Sequence, residues 1–223
     1  MPEVSRIDRA RFNMVQQQVR PWDVSDDRVL TALAEVPRES FVPDAYRSLA
    51  YADIEVPIAA GRVMLAPKIV GRLLQAVQPQ PGDKALTIGA DNGYLAACLA
   101  HLGARVLCLE DDPDLAREAE NRLVGVAASG IEVRVEDGLA APVVGGPFDV
   151  IAVTGSVPTD EPVAALQAQL AADGRLFVVV GQAPVMEALL VTRVGTRDFR
   201  RQALFETCAV PLAQVPEPDA FVF

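Results

Sequence analysis

The chain has 223 residues, of which 51% are hydrophobic, so it is long and apolar enough for one α/β domain with a large core. Asp and Glu outnumber Lys and Arg by 30 to 20, which gives a formal net charge of -10. This field would repel a polyanion, so nucleic acid is a poor candidate partner.

The amino terminus, MPEVSRIDRARFNMVQQQVR, lacks the apolar run that a signal peptide needs. No later stretch is long and apolar enough to span a bilayer, since LFVVVG has only the length of a strand. We therefore expect a cytoplasmic protein without a membrane partner.

Residues suited to metal or triad chemistry are scarce. His101 is the single histidine, which argues against His-based metal clusters and Ser-His-Asp triads, so no metal site is expected. The three cysteines show no metal-binding or redox spacing, and their apolar contexts predict small core residues: Cys98, Cys108 and Cys208.

Residues 1–80 are predicted to form an N-terminal helical or lid extension. RVLTALAEV carries apolar residues at helical spacing after a good helix start at Ser25, and KIVGRLLQAV does the same after Pro67. The segment between them, residues 37–67, is rich in proline and aromatic residues and has little periodicity. A long irregular segment of this kind is commonly a lid or a binding loop.

Residues 81–223 are predicted to form a Rossmann-like α/β core, in one compact unit with the extension. Short apolar runs alternate here with amphipathic helical stretches, a pattern typical of parallel strands covered by helices on both faces. The predicted strands are KALTIG, ARVLCLE, IEVRVE, FDVIAVTG and GRLFVVVG, and the predicted helices are GYLAACLAHLG, DPDLAREAENRLVGVA and DEPVAALQAQLAADG. After Gly181, MEALLVTRV and RRQALFETCAV lack an intervening helix and predict an antiparallel pair at the sheet edge.

The loop after the first of these strands is a candidate ligand site. The strand ends at Ile88, Gly89 and Gly93 lie in the loop, and a helix follows at once. Glycines permit a tight turn and close approach of the backbone to a ligand, and the helix amino terminus offers N–H groups to an anion. Tight turns without ligands are also common, so the loop alone is a weak signal.

Acidic residues close the next two strands. Glu110 follows Gly89 by about 20 residues, where nucleotide-binding sheets place a carboxylate on the ribose hydroxyls. Asp137 either accepts from an adenine amino group or bonds its own backbone in a turn. The acidic residues that follow Glu110 are interpreted as helix-cap charges: Asp111, Asp112 and Asp114.

These strand ends would meet at the carboxyl edge of the sheet, where open α/β folds bind ligands. An acidic crevice disfavours pyrophosphate and favours a cationic, ribose-bearing cofactor, a description that S-adenosylmethionine fits. An NAD-dependent dehydrogenase is a weaker alternative, because the loop lacks the full three-glycine fingerprint.

Three longer stretches resemble the protein-L-isoaspartate O-methyltransferase family. They are VSDDRVLTALAEVPRE, PFDVIAVTGSVP, and ESFVPDAYRSLAYADIEVPI followed by a glycine-containing loop and Pro67. The resemblance implies a seven-stranded S-adenosylmethionine-dependent methyltransferase fold whose helical extension covers a protein or peptide substrate. By motif position it places the cofactor contacts on five residues: Gly89, Gly93, Glu110, Asp137 and Gly138. Asp149, in PFD, is interpreted as structural.

The cofactor loop departs from the family pattern at two positions. Thr87 stands where the family usually has an acidic residue, and Asp91 stands where it has the middle glycine. The Asp91 carboxylate would repel the cofactor's carboxylate but can pair with its ammonium group. Asp91 is therefore either a cofactor ligand or the mark of an altered pocket.

The active-site loop departs as well. The family pattern is Gly, a polar pair, Ile, then Ser or Thr before the proline, whereas this chain has GRVMLAP, with Leu65 at the hydroxyl position. Arg62 is the polar side chain that remains, and it is the candidate catalytic residue as a clamp on the acceptor carboxylate. The alternative is an exposed loop arginine. Because a carboxylate acceptor needs alignment more than a base, losing a positioning hydroxyl would slow transfer about 100-fold without abolishing it.

The sequence thus predicts an enzyme that methylates the carboxylate of L-isoaspartyl residues during protein repair, or a changed acceptor. The alternative is a catalytically inactive binding or regulatory protein on the same fold. The apolar ending PDAFVF is expected to dock on the protein or on a second subunit, so both a monomer and a homodimer stay open.

Overall fold

The computed structural model describes residues 5–89, 91–140, 142–213 and 215. The α-helices are α1 Arg6–Asn13, α2 Asp27–Glu35, α3 Pro67–Val77, α4 Tyr94–His101, α5 Pro113–Gly125 and α6 Asp160–Gln167. The strands are β1 Val56–Ala59, β2 Arg62–Met64, β3 Lys84–Ile88, β4 Arg105–Glu110, β5 Ile131–Val135, β6 Phe148–Val157, β7 Leu170–Gln182, β8 Val185–Arg193 and β9 Phe199–Glu206. Shorter helical turns follow α1 and α2, at Met14–Val19, Arg20–Trp22, Arg38–Ser40 and Asp44–Leu49, and one precedes α4, at Asp91–Gly93.

Strands β3 to β9 form one seven-stranded sheet in the order β5-β4-β3-β6-β7-β8-β9. The first five strands in this order run parallel to one another. Strands β8 and β9 extend the sheet at one edge through antiparallel pairing. The predicted α/β sheet and its antiparallel edge are therefore confirmed. The direction of strand order reverses at β3, between β4 and β6, which places the topological switch point at the carboxyl end of β3.

The amino-terminal helices share a core with the sheet. Leu33 of α2 and Leu73 of α3 belong to the same buried apolar cluster as Leu95 of α4 and Val150 of β6. Burial of this shared apolar surface fixes the helices against the sheet. The division into an extension over residues 1–80 and a core over 81–223 stays a prediction.

Three local predictions were wrong. Part of the segment that was expected to be irregular forms an antiparallel hairpin of β1 and β2, with Gly61 at a φ of +68° in the turn. The last predicted helix ends early, because the fully buried Leu170 already pairs with Phe148 of β6. Cys208 is exposed, since it follows the edge strand β9.

Two other expectations concern the outside of the fold. The ending 218–223, for which docking was expected, lies outside the described residues. Among the residues that the structure describes, no helix is both long and apolar enough to cross a membrane.

Candidate functional site

A crevice lies at the switch point and consists of two adjacent cavities. The first, with a volume of about 20 Å³, lies between the carboxyl ends of β3, β4 and β5, and the second, with a volume of about 30 Å³, lies toward the β1–β2 hairpin and β6. The first is lined by Ile88, Leu109, Asp111, Glu136, Asp137, Gly138, Leu139 and Ala213. The second is lined by Ile58, Gly61, Val63, Asp91, Glu110, Thr154, Gly155, Val210 and Pro211. Three residues line both: Arg62, Gly89 and Leu212.

The loop between β3 and α4 has an unusual backbone. Four of its described residues have positive φ angles: Gly89 at +85°, Asp91 at +43°, Asn92 at +56° and Gly93 at +91°. Because residues other than glycine rarely adopt this conformation, the surrounding structure must hold the loop in place. The Asn92 side-chain amide, which is buried, donates to the Phe41 carbonyl and ties the loop to the amino-terminal segment.

The predicted glycines serve different purposes. A Cβ on Gly89 would lie 2.2 Å from Thr154 Oγ1, and one on Gly138 would lie 2.9 Å from the Ile88 side chain, so neither position accommodates a larger residue. Gly93 is absent from the described walls of both cavities, and a Cβ there would lie 3.1 Å from Leu123. Gly93 therefore permits close packing of α4 on α5.

Glu110 and Arg62 meet in the middle of the crevice. Glu110 ends β4, and its side chain is 2% exposed. Its Oε1 accepts from Arg62 Nη1 at 3.1 Å and from the Asp112 amide at 3.2 Å. Arg62 Nη2 donates to Asp111 Oδ1 at 2.6 Å. With 17% of its side chain exposed, Arg62 points into the crevice, so the alternative of an exposed loop arginine was wrong.

The other carboxylates that follow strands have mixed roles. Asp111 was interpreted as a helix cap, which was wrong, because it lines the first cavity and pairs with Arg62. Asp112 does cap α5, since its Oδ1 accepts from the Asp114 and Leu115 amides at 2.8 and 3.2 Å. The signal for Asp111 was its position directly after β4, which the adjacent run of acidic residues obscured.

Asp137 lies beyond the carboxyl end of β5, and Asp149 lies near the amino end of β6, so the two are at opposite ends of the strands. Asp137 Oδ1 accepts from the Leu139 amide at 2.9 Å, which is the turn bond that was considered, and Asp137 also lines the first cavity. Its contact with adenine stays a prediction. Asp149 Oδ2 accepts from the Lys84 amide at 2.8 Å where β3 begins, and this confirms its structural role.

Asp91 lies beneath the active-site loop. Its side chain is almost fully buried, and its Oδ1 accepts from the Leu65 amide at 2.7 Å. The fully buried Arg38 donates from Nη2 to the Leu65 carbonyl at 2.6 Å, so both polar backbone groups of Leu65 are held by charged side chains. Burial raises the pKa of Asp91 to about 7, although the Arg38 charge and the Leu65 and Leu95 amides oppose the shift. Thr87 is buried and absent from the described cavity walls.

A segment that was not predicted from the sequence, residues 209–212, covers the crevice. The Ser156 amide donates to the Val210 carbonyl at 2.9 Å, and the Leu212 amide donates to the Ser156 carbonyl at 3.0 Å. Ser156 Oγ also donates to the Ala209 carbonyl at 3.0 Å. These bonds place Leu212 against the glycines at the ends of β3 and β6. An apolar run after the last strand was the signal available, and it has no periodicity.

Comparison with known proteins identifies the family to which this chain belongs. The model described as Protein-L-isoaspartate(D-aspartate) O-methyltransferase (PCMT) matches residues 10–216. The protein-L-isoaspartate O-methyltransferase of Koribacter versatilis is 40% identical over 206 residues, which cover 92% of this chain and 90% of that relative. The enzyme of that name from Aeropyrum pernix is 38% identical over 207 residues, covering 91% and 79%. The chain belongs to the protein-L-isoaspartate O-methyltransferase family.

The fold agrees with this assignment. A Plasmodium falciparum protein, described as a protein-L-isoaspartate O-methyltransferase and solved with S-adenosyl-L-homocysteine, superposes with a TM-score of 0.76. The two sequences are 21% identical, and the match covers 91% of this chain and 97% of that one. At this identity the likeness concerns the fold.

Two of the positions at which this chain departs from the pattern of the protein-L-isoaspartate O-methyltransferase family are in direct contact. Asp91, at the position of the middle loop glycine, accepts the hydrogen bond from Leu65, at the position of the loop hydroxyl. The two altered loops are therefore joined by a buried hydrogen bond. The backbone of the active-site loop is held although residue 65 has no hydroxyl.

Proposed function

We propose that this chain is an S-adenosylmethionine-dependent protein-L-isoaspartate O-methyltransferase. It transfers a methyl group to the side-branch carboxylate of L-isoaspartyl residues in damaged proteins and works in the cytoplasm. The observation that carries the proposal is the buried carboxylate of Glu110 beside a glycine-lined crevice at the switch point of a chain of this family. Family membership gives no support to the inactive alternative.

The residues of the crevice suit a cationic, ribose-bearing cofactor. Its described walls carry one guanidinium, that of Arg62, and five carboxylates: Asp91, Glu110, Asp111, Glu136 and Asp137. This excess of negative charge attracts a sulfonium and an ammonium group and opposes a pyrophosphate. The donor set therefore fits S-adenosylmethionine.

We assign each predicted residue a part in holding the cofactor. Glu110 accepts from the ribose hydroxyls, and Asp137 accepts from the adenine amino group through its second oxygen. Gly89 and Gly138 permit close approach of the backbone. Among the described residues, the buried Asp91 Oδ2 has no hydrogen-bond partner, and we assign it to the cofactor's ammonium group. Gly93 keeps the loop in register by allowing α4 to pack closely.

The chemistry requires little of the protein beyond alignment. The cofactor supplies a methyl group activated by a positive sulfur. The acceptor carboxylate is ionised at neutral pH, so it could accept this methyl group without a general base from the protein. Arg62 provides a cation for the acceptor carboxylate, and apolar Val63 and Leu212 exclude water from the second cavity.

Calorimetric titration with S-adenosylhomocysteine tests the cofactor site. We expect wild-type protein to bind, and Glu110→Gln to bind about 30-fold more weakly, because two hydroxyl groups lose a charged acceptor. Glu39→Gln is the matched control, since Glu39 also pairs with an arginine, at 2.9 Å, and is 21% exposed, but lies outside both described cavity walls. Absence of binding to the wild type, or equal losses in both variants, would refute the assignment.

A further inference from the structure

We propose that Arg62 is exchanged between the two substrates: the cofactor's ribose displaces its guanidinium from Glu110, and the freed guanidinium then binds the acceptor carboxylate. This inference rests on the proposed function and adds a coupling between the two halves of the site. Arg62 would thus hold the site closed and also determine acceptor specificity.

The first support is competition for the same carboxylate. Arg62 Nη1 lies 3.1 Å from Glu110 Oε1, and Oε1 also accepts from the Asp112 amide. Glu110 is almost fully buried, so the space around its oxygens is restricted. A ribose that binds Oε1 of this carboxylate therefore competes with the guanidinium for the same oxygen.

The second support is the shape of the crevice. Small-molecule pockets commonly enclose about 300–1,000 Å³, whereas the two cavities have volumes of only about 20 and 30 Å³. Arg62 and Leu212 are the residues with side chains that line both. Leu212 is held by backbone bonds to β6, whereas Arg62 is a long side chain beside the hairpin turn at Gly61. Movement of Arg62 is therefore the simplest way to join the cavities.

The third support is the charge of the second cavity. Among its described wall residues, Arg62 carries the one positive charge, and Asp91 and Glu110 carry carboxyl groups that would repel an ionised acceptor. While Arg62 is paired with Glu110 and Asp111, most of its charge is neutralised. Release of the guanidinium would make a bidentate carboxylate partner available where the acceptor must bind.

The exchange predicts effects of opposite sign for the two substrates. Removal of the guanidinium eliminates the competitor, so we expect Arg62→Gln to bind S-adenosylhomocysteine about ten-fold more tightly. The same variant loses the acceptor clamp, so the KM for an isoaspartyl peptide should rise about ten-fold or more.

The experiment combines calorimetric titration of S-adenosylhomocysteine with steady-state kinetics on an isoaspartyl peptide. Arg175→Gln is the matched control, because Arg175 is 20% exposed and pairs with Asp83 outside the described cavity walls. Opposite shifts in Arg62→Gln, with neither shift in the control, would support the exchange. Unchanged or weaker S-adenosylhomocysteine binding in Arg62→Gln, or an unchanged KM, would overturn it. If wild type and variants all fail to bind, the proposed function fails and the exchange fails with it.

Discussion

Asp91 has a backbone conformation that glycine adopts more readily than any other residue, yet its carboxylate has a specific structural partner. It fixes the amide of Leu65, while Arg38 fixes the carbonyl. The active-site loop is therefore positioned through its backbone. This arrangement explains how a loop with leucine at the hydroxyl position keeps a defined shape.

Burial of Asp91 should make stability depend on pH. The pKa of about 7 in the folded protein lies above the ordinary value of 3.8, so the folded state binds this proton more tightly than the unfolded chain. The free energy of unfolding therefore falls as pH rises between these values. From pH 5 to pH 8 this group should lower it by about 2–3 kcal/mol.

Denaturant unfolding of wild type and Asp91→Asn at pH 5 and pH 8 measures this effect. Asparagine cannot ionise but can still accept from the Leu65 amide, so the variant should lose less stability over this interval. If both proteins lose the same free energy of unfolding, the carboxyl group is not the source of the pH dependence.

Among the elements, the segment 209–212 is the least expected part of the site. It lies beside the carboxyl end of β6 through three hydrogen bonds to Ser156, two from backbone and one from the hydroxyl. Those bonds are the reason that Leu212 lines both cavities. A short tie of this kind is a means of covering a ligand without a separate lid domain.

The variant Ser156→Ala tests whether the Ser156 hydroxyl helps to hold the segment 209–212 in place. Loss of the hydroxyl leaves the Ala209 carbonyl without its bond and should cost about 1 kcal/mol locally. We expect faster hydrogen–deuterium exchange in residues 209–212 and several-fold weaker S-adenosylhomocysteine binding. Thr192→Ala, which removes a hydroxyl from β8 outside both described cavity walls, is the control. Unchanged exchange in Ser156→Ala would show that the backbone bonds alone hold the segment.

The sequence predicts the strands of the sheet well and the connections poorly, for physical reasons. Buried runs such as those of β3 and β6 are recognisable because both faces of a central strand are covered. The β1–β2 hairpin carries no such run, since Val56 and Met64 are its fully buried residues. Its sequence therefore lacked a periodic signal.

In the site too, some features could be predicted from the sequence and others could not. Glu110 was predicted from its distance after a glycine loop, because the order of strands along the chain fixes where strand ends meet. The ion pairs from Arg62 to Glu110 and Asp111 join residues far apart in sequence, and only the packing of the hairpin on the sheet brings them together. The interaction of Asp91 with Leu65 depends on the same packing.

At the scale of the whole molecule, charge and topology point to one ligand position. The formal net charge is -10, and the described crevice walls carry five carboxylates against one guanidinium. The order of the sheet reverses at this crevice, and the amino-terminal helices pack on the same core. The molecule is thus suited to a cationic cofactor held at the sheet edge beneath the β1–β2 hairpin and the segment 209–212.

The most direct test of the proposed function is methyl transfer to a matched pair of peptides. The two peptides have one sequence and differ only in an L-isoaspartyl or an L-aspartyl residue, and mass spectrometry follows their incubation with S-adenosylmethionine. We predict that the isoaspartyl peptide gains one methyl ester and that the aspartyl peptide is unchanged. Failure to methylate the isoaspartyl peptide by protein that binds S-adenosylhomocysteine would contradict the proposed function.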